Sequence, residues 1–165
     1  GDVDESCVQL FAKVVQRRIY KAGDFVTRVG DTGDVMFFIS QGSCNATIGG
    51  EVLERLEEGQ CFGEVVLTKM IHRTQQGMSR ADAVKSLERM ADVVAVSDCV
   101  LFALGLEHAN GLVKKVPRIY YSLEQLSKIR TNRLLQQING LSEGQKDVEK
   151  RLQDMEVRFW AFLGA

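Results

Sequence analysis

Short apolar runs alternate with glycine-bearing turns over roughly the first hundred residues. The runs at 25–29, 35–40, 43–48 and 52–56 have five or six residues, and a turn that contains glycine follows each of them. Strands of this length that recur at roughly 8–12-residue spacing are typical of an antiparallel β-barrel or sandwich. Residues 93–104 return to the same pattern, apart from one central turn. The pattern therefore predicts a mainly β fold.

Helical periodicity appears at the start of the chain and again in the middle. Residues 7–15 carry apolar side chains at helical spacing, which predicts a short amphipathic helix. Residues 65–71 can open a second helix, and residues 79–90 a third, with Ser79 as its cap. Because strand-like sequence resumes afterwards, we predict one β domain with a helical insertion.

Beyond Pro117, the only proline, the pattern becomes helical. Apolar side chains from 134 to 162 follow spacings of 4, 3 and 7 residues, as in a heptad register. Gly140 and Gly144 weaken a continuous helix. We therefore predict for 131–165 either a coiled coil between chains or a helical hairpin that folds back. The apolar positions are Leu134, Ile138, Leu141, Val148, Leu152, Met155, Phe159 and Phe162.

The composition and net charge argue against a membrane-spanning protein and against a nucleic-acid-binding protein. The 165 residues are 45% hydrophobic and 26% charged, as in soluble globular domains, and no apolar run approaches the roughly 18 residues of a membrane span. The net charge is −1, whereas nucleic-acid binders are usually far more basic. The N-terminus shows no signal peptide, and the chain begins without Met. We expect a cytoplasmic piece of a larger protein, without contact to nucleic acid or membrane.

Cysteine and histidine form no catalytic or metal pattern in this sequence. No two cysteines make a CxxC pair, so we predict reduced, mostly buried thiols. His72 and His108 are the only histidines and lie far apart, whereas a metal site in a β-barrel of this kind needs several His or Glu ligands. We therefore predict no metal site, no cofactor and no enzymatic activity. The cysteines are Cys7, Cys44, Cys61 and Cys99.

Residues 59–67 carry the most chemical information. Gly63 precedes a predicted helix whose first N–H groups can bind an anion. Glu64 can accept hydrogen bonds from a sugar diol, and a nearby arginine would pair with a phosphate through two hydrogen bonds. Each feature alone also has a structural explanation, since glycines are common in turns and a carboxylate is favourable at a helix start.

The glycine motifs occur in a recognisable order and spacing. They are Gly23-Asp24-Phe25-Val26, Gly30-Asp31-Thr32-Gly33-Asp34, Gly42 and Phe62-Gly63-Glu64. This series resembles the cyclic nucleotide-binding domain family, as found in cAMP-dependent kinase regulatory subunits and cyclic nucleotide-gated channels. The resemblance covers about residues 5–130. It implies an antiparallel jelly-roll barrel with flanking helices over 1–130, an insertion at about 71–90, and a C-terminal helical segment over 131–165.

The resemblance also implies a phosphate-binding cassette that starts at Phe62-Gly63-Glu64. In the family, the glutamate at the position of Glu64 holds the ribose 2′-hydroxyl. The backbone N–H groups near Val65 and Val66 would face the cyclic phosphate. The family usually has a small residue where Val66 stands, so the valine is expected to crowd the approach to the phosphate.

Two arginines compete for the role of phosphate partner in the implied cassette. Arg73 stands nine residues after the cassette glutamate and is followed by Thr74, which is the common arrangement in the family. Arg89 begins residues 89–98, which resemble the strand after the cassette arginine over more positions. We therefore favour Arg89. Arg73 with Thr74 would favour cGMP, whereas Arg89 with Met90 makes cAMP the expected ligand.

The predicted function is that of a regulatory sensor for a cyclic purine nucleotide, with cAMP slightly favoured over cGMP. Occupancy would move the C-terminal helix. The heptads at 134–162 would then pass this motion to sister chains in a homo-oligomer, or to an effector domain in the parent chain or a partner protein. The alternative is a degenerate fold that has lost its ligand and serves assembly. In a third possibility the pocket takes another ligand, or a side chain from the insertion fills it.

Overall fold

The computed structural model describes residues 5–138. The elements in chain order are α1 Glu5–Val14, β1 Gln16–Tyr20, β2 Phe25–Thr27, β3 Val35–Gln41, β4 Cys44–Ile48, β5 Glu51–Leu56, β6 Cys61–Phe62, α2 Glu64–Gln75, α3 Arg80–Lys85, β7 Asp92–Ala95, β8 Cys99–Gly105, α4 Leu106–Lys115 and α5 Pro117–Ile138. The mainly β fold with flanking and inserted helices is thus confirmed.

The strands form two antiparallel sheets of four strands each. Their orders are β1-β8-β3-β6 and β2-β7-β4-β5. Apolar side chains from the two sheets meet in one buried cluster, to which β3 contributes Phe37 and Ile39 and the other sheet contributes Leu56 and Val93. The jelly-roll prediction is correct, but within residues 5–138 the two sheets do not join into a closed barrel. The edge strands β2 and β6 have only three and two residues, too few to carry a ladder from one sheet to the other.

Strand β3 is covered on both faces, which explains its uninterrupted apolar run. Phe37 and Ile39 point into the cluster between the sheets, whereas Met36 and Phe38 belong to a second cluster with the helices. Successive side chains of a strand point to opposite faces, so both sets are buried at once. Strand β3 is therefore the wall between the sheet core and the helical layer.

Helices α2 and α5 form much of the helical layer. Ile119, Leu123 and Leu126 of α5 repeat at spacings of 4 and 3, and all three are buried in the cluster that also holds Leu67 and Met70 of α2. This repeat is the apolar stripe of an amphipathic helix. The long helix predicted beyond Pro117 is therefore present, and it packs against the helix that follows Gly63.

The prediction for the insertion is wrong at its C-terminal end. Helix α3 starts as expected, because the Ser79 hydroxyl accepts a hydrogen bond from the Asp82 N–H at 3.2 Å. The helix ends at Lys85, not at Met90. Arg89 lies outside the helix, and its N–H donates to Asp31 O at 2.7 Å while its carbonyl accepts from Gly30 N–H at 3.0 Å. These tertiary hydrogen bonds outweigh the local helical preference.

Three of the four cysteines have described side chains. Cys44, Cys61 and Cys99 are buried thiols that form no disulfide with one another, as predicted for those three. No helix within residues 5–138 is long and apolar enough to cross a membrane. The heptads predicted at 134–162 lie mostly outside the described residues, so the coiled coil and the domain boundary at 130/131 stay predictions.

Candidate functional site

A cavity of about 120 Å³ opens between the β2-β7-β4-β5 sheet and helices α2 and α5. It is lined mostly by apolar groups, with a few charged side chains that converge on it. This combination is typical of small-molecule sites. Six of the eight predicted site residues line the cavity, namely Phe62, Gly63, Glu64, Val65, Val66 and Arg89.

Gly63 sets the start of α2 at the edge of this cavity. Its φ of 86° is left-handed, a conformation that glycine adopts without strain. A Cβ at this position would lie 3.0 Å from Val35 O and 2.9 Å from Nη1 of Arg89. Within the described part of the chain, no side chain caps the helix. The first-turn N–H groups, those of Val65 and Val66 among them, therefore stay open to an anion.

Glu64 begins α2 and is the most deeply buried charged side chain of the described residues, at 1% exposure. Its Oε2 accepts a hydrogen bond from Arg130 Nη1 at 2.7 Å. Its Oε1 is buried and has no hydrogen-bond partner among residues 5–138. Burial raises the pKa of Glu64 above its ordinary value, and the charge of Arg130 opposes that rise. The free oxygen is therefore an acceptor available to a ligand hydroxyl.

Arg130 reaches the cavity from α5 and contacts two carboxylates. Besides Glu64, its Nη2 donates to Glu54 Oε1 at 3.3 Å, and only 11% of its side chain is exposed. The sequence reasoning missed both Arg130 and Glu54. A signal for Arg130 was present, because it lies four residues after Leu126 and so continues the apolar stripe of α5 with a charge. A charged residue on such a stripe needs a buried partner.

Arg89 also lines the cavity and is buried, at 8% exposure. Its Nη2 donates to Val35 O at 2.7 Å, whereas its Nη1 is buried without a hydrogen-bond partner in the described structure. Gly33 makes room for the guanidinium, since a Cβ there would come within 2.7 Å of Nη2. Burial lowers the pKa of Arg89, and the charges of Asp34 and Glu64 oppose that effect. An arginine still stays protonated at neutral pH.

Arg73, the other candidate for the phosphate partner, points away from the cavity. Arg73 Nη1 donates to both the hydroxyl and the carbonyl oxygen of Ser86, outside the cavity. The Thr74 hydroxyl donates to Ile71 O at 2.9 Å and is therefore satisfied within its own helix. The structure thus brings Arg89 together with Glu64 and the start of α2, and does not bring Arg73 or Thr74 there.

The described residues contain no cluster of three or more His, Cys, Asp or Glu side chains that could hold a metal ion. The charged groups of the cavity are two guanidiniums and two carboxylates. The four residues are Arg89, Arg130, Glu54 and Glu64. The guanidinium of Arg89, which has an unused N–H, and the N-terminus of α2 can together bind an anion. The unbonded carboxylate oxygen of Glu64 can accept a hydrogen bond from a hydroxyl.

Comparison with known proteins gives a consistent result. Residues 17–88 match the family model described as "Cyclic nucleotide-binding domain". The potassium/sodium hyperpolarization-activated cyclic nucleotide-gated channel 3 of Mus musculus is 27% identical over 131 residues, which are 79% of this chain and 15% of the channel. The chain thus spans about 15% of the length of this channel.

Solved structures share the fold. The catabolite activator protein of Thermus thermophilus is 28% identical, with a TM-score of 0.61 over 85% of this chain and 61% of that protein. A structure described as "Sp-2Cl-cAMPS bound to PKAR CBD2" has a TM-score of 0.62 and 19% identity, over 87% of this chain and 84% of the other. The second likeness, at this low identity, concerns the fold alone.

Proposed function

We propose that this chain, whose residues 17–88 match the cyclic nucleotide-binding domain family, is a regulatory sensor module for a cyclic purine nucleotide. The main support for the proposal is that two buried polar atoms in the same cavity lack a hydrogen-bond partner. Arg89 Nη1 and Glu64 Oε1 are both buried and both without a hydrogen-bond partner among the described residues. Buried polar atoms are nearly always satisfied, so a ligand is the expected partner of both.

The phosphate of the ligand would lie between Arg89 and the N-terminus of α2. The guanidinium supplies a full charge, and the N–H groups of Val65 and Val66 supply the partial charge of the helix end. The ribose 2′-hydroxyl would donate to Glu64. This arrangement assigns one set of protein groups to the phosphate and another group to the ribose hydroxyl.

We propose cAMP as the preferred nucleotide over cGMP. Met90 follows Arg89 and lines the cavity without offering a hydroxyl to a guanine. Thr74, which would have served that purpose, has its hydroxyl bonded to Ile71 O. The Thr27 hydroxyl lies in the cavity wall but donates to Ala91 O at 3.3 Å. None of these three residues therefore favours guanine.

Helix α5 is the proposed output of the sensor. It packs along α2 and carries Arg130 into the cavity, so ligand contacts and helix position depend on each other. The proposed heptads at 134–162 would transmit its motion to sister chains in a homo-oligomer, or to an effector domain. We further propose that the module lies in the cytoplasm, uses no cofactor and catalyses no reaction, since it offers binding groups for a regulatory ligand.

A second candidate function is that of an assembly module without a ligand. Its support is the cavity volume of about 120 Å³, which is below the roughly 300–1,000 Å³ of ordinary ligand sites. Val66, where the family usually has a smaller residue, contributes to this restriction because it lines the cavity and is buried.

The test uses two charge-conserving substitutions, Arg89→Lys and Arg73→Lys, and calorimetric titration of each purified variant with cAMP. Lysine keeps the positive charge but loses the paired hydrogen bonds to a phosphate, so R89K is expected to weaken binding roughly ten-fold or more. R73K should bind as the unmodified chain does, with circular dichroism as the check on folding. Equal affinity of all three proteins, or a loss confined to R73K, would overturn the assignment of Arg89.

A further inference from the structure

A groove of about 600 Å³ lies between helices α2 and α5, apart from the cavity described above. Its walls carry Lys69, His72 and Arg73 from α2, and Glu124, Ser127 and Lys128 from α5. This volume falls within the roughly 300–1,000 Å³ of ordinary small-molecule sites. Arg89 and Glu64 line the other cavity, so a ligand in the groove is independent of the proposed cyclic nucleotide. We propose that the groove is a second binding site, which takes a small phosphate-bearing anion.

The charges of the groove favour an anion. Lys69, Arg73 and Lys128 bring three cations to it, whereas Glu124 is the one acid among the described residues that line it. Lys128 pairs with Glu124 at 3.4 Å, but the two side chains are 63% and 39% exposed. An ion pair this exposed contributes little, so Lys128 stays available to a ligand.

Ser127 supplies the buried polar contact that a specific ligand needs. It is only 7% exposed and lines the groove, and within residues 5–138 its hydroxyl makes no hydrogen bond to another residue. By contrast, the Thr68 hydroxyl, which is also buried beside the groove, donates to Val65 O at 3.1 Å. Buried polar groups nearly always have a partner. An oxygen of a ligand between the two helices would accept the hydrogen bond of Ser127.

The dipole of α2 explains some of these cations, but not all of them. His72 and Arg73 lie in the last turn of α2, where a positive charge is favourable without any ligand. Lys69 lies before that turn, and Lys128 belongs to the other helix. Because the two lysines line one groove from different helices, an anion between the helices would attract both.

A phosphate group suits these donors better than a carboxylate does. It carries about two negative charges and several acceptor oxygens, so one group can contact Lys69, Lys128 and Ser127 together. Lysine binds phosphate as a point charge, without the paired geometry of an arginine contact. Soluble organic phosphates and lipid headgroups share this chemistry. Because the donors line a groove between two helices, we expect the soluble kind.

The experiment uses inorganic pyrophosphate as the probe, titrated into the isotope-labelled chain without cAMP and followed by the amide shifts in NMR spectra. We expect saturable shifts at residues 68–73 and 127–132, which belong to the parts of α2 and α5 that line the groove. A second arm uses vesicles of phosphatidylcholine and phosphatidic acid, which present a phosphate at a membrane surface. We expect these vesicles not to retain the chain.

Substitutions at the groove test the individual contacts. Ser127→Ala removes the hydroxyl at unchanged charge, and alanine is favourable in a helix, so S127A should fold normally. It should weaken pyrophosphate binding about ten-fold or more, as the loss of a hydrogen bond to a charged group does. Lys69→Met and Lys128→Met should each weaken binding about two- to five-fold, whereas Glu124→Gln should tighten it. Lys85→Met is the matched control, because Lys85 is exposed on α3 outside the groove and its loss should change nothing.

Several results would overturn the second site. Shifts confined to residues 63–66 would place the probe at the start of α2 instead. Unchanged affinity in S127A, or equal losses in K69M and K85M, would leave only a general attraction to positive charge. The absence of saturable shifts, or retention by the vesicles without binding of pyrophosphate, would contradict a site for a soluble phosphate. Since cAMP is absent from these titrations, their outcome does not depend on whether the other cavity binds a nucleotide.

Discussion

Gly63→Ala tests how tightly the start of α2 is fitted against β3 and Arg89. The backbone at Gly63 has φ 86°, and left-handed backbone costs a residue with a Cβ about 1–2 kcal/mol. The new Cβ would also meet Val35 O at 3.0 Å and Met36 Cα at 3.2 Å, both of them main-chain atoms of a buried strand. Overpacking of this kind costs about a further 1–3 kcal/mol. We therefore expect G63A to lower the free energy of unfolding by about 2–5 kcal/mol.

Gly59→Ala separates the two contributions. Gly59 has the same φ of 86°, but a Cβ there would have nothing within 4 Å. Both substitutions also restrict the unfolded chain equally. G59A should therefore lose only about 1–2 kcal/mol, from backbone strain alone. Urea unfolding followed by circular dichroism gives both values, provided that the m-value stays constant. Equal losses in G59A and G63A would refute the argument that Gly63 is required for close packing.

Two predictions concern titratable groups. Burial raises the pKa of the Cys44 thiol from 9.0 to about 12. At pH 8, iodoacetamide should therefore modify Cys44 only when the protein unfolds in urea. Peptide mass mapping locates the modified residue, and rapid modification of Cys44 in the native protein would contradict this prediction. Burial also raises the pKa of Glu64 above 4.5, so the folded state holds this proton more tightly than the unfolded state does. The resulting stabilisation is full below pH 4.5 and is lost as the pH rises through the folded pKa. The stability of the unmodified chain relative to Glu64→Gln should therefore fall between pH 4.5 and neutral pH, and a difference that stays constant would contradict the prediction.

The sequence was sufficient to predict those features that depend on local pattern. The apolar run of β3 and the glycine turns indicated a β fold, and the order of the glycine motifs indicated the family. The helical character of the chain beyond Pro117 was also predictable from the sequence, and helix α5 begins at Pro117. The helix start directly after Gly63 was also predictable from the local sequence, because a turn glycine and an acidic first residue are both typical of a helix start.

Features that depend on tertiary contacts were not predictable in the same way. Residues 86–90 continue the apolar spacing of α3, yet the hydrogen bonds of Arg89 with Gly30 and Asp31 hold them outside the helix. The same contacts carry Arg89 into the cavity. Separation of the strands into two sheets depends on pairing between distant segments, which the spacing of turns does not specify. Arg130 was missed because its partners, Glu54 and Glu64, are more than sixty residues away.

The central claim is that this cavity binds a cyclic nucleotide. The most direct test is calorimetric titration of the purified chain with cAMP and cGMP, after removal of any nucleotide carried through purification, with 5′-AMP as the uncyclised control. We predict saturable binding at one site, tighter for cAMP than for cGMP and weakest for 5′-AMP. No heat and no thermal shift at millimolar cAMP or cGMP would contradict the claim and favour the assembly module.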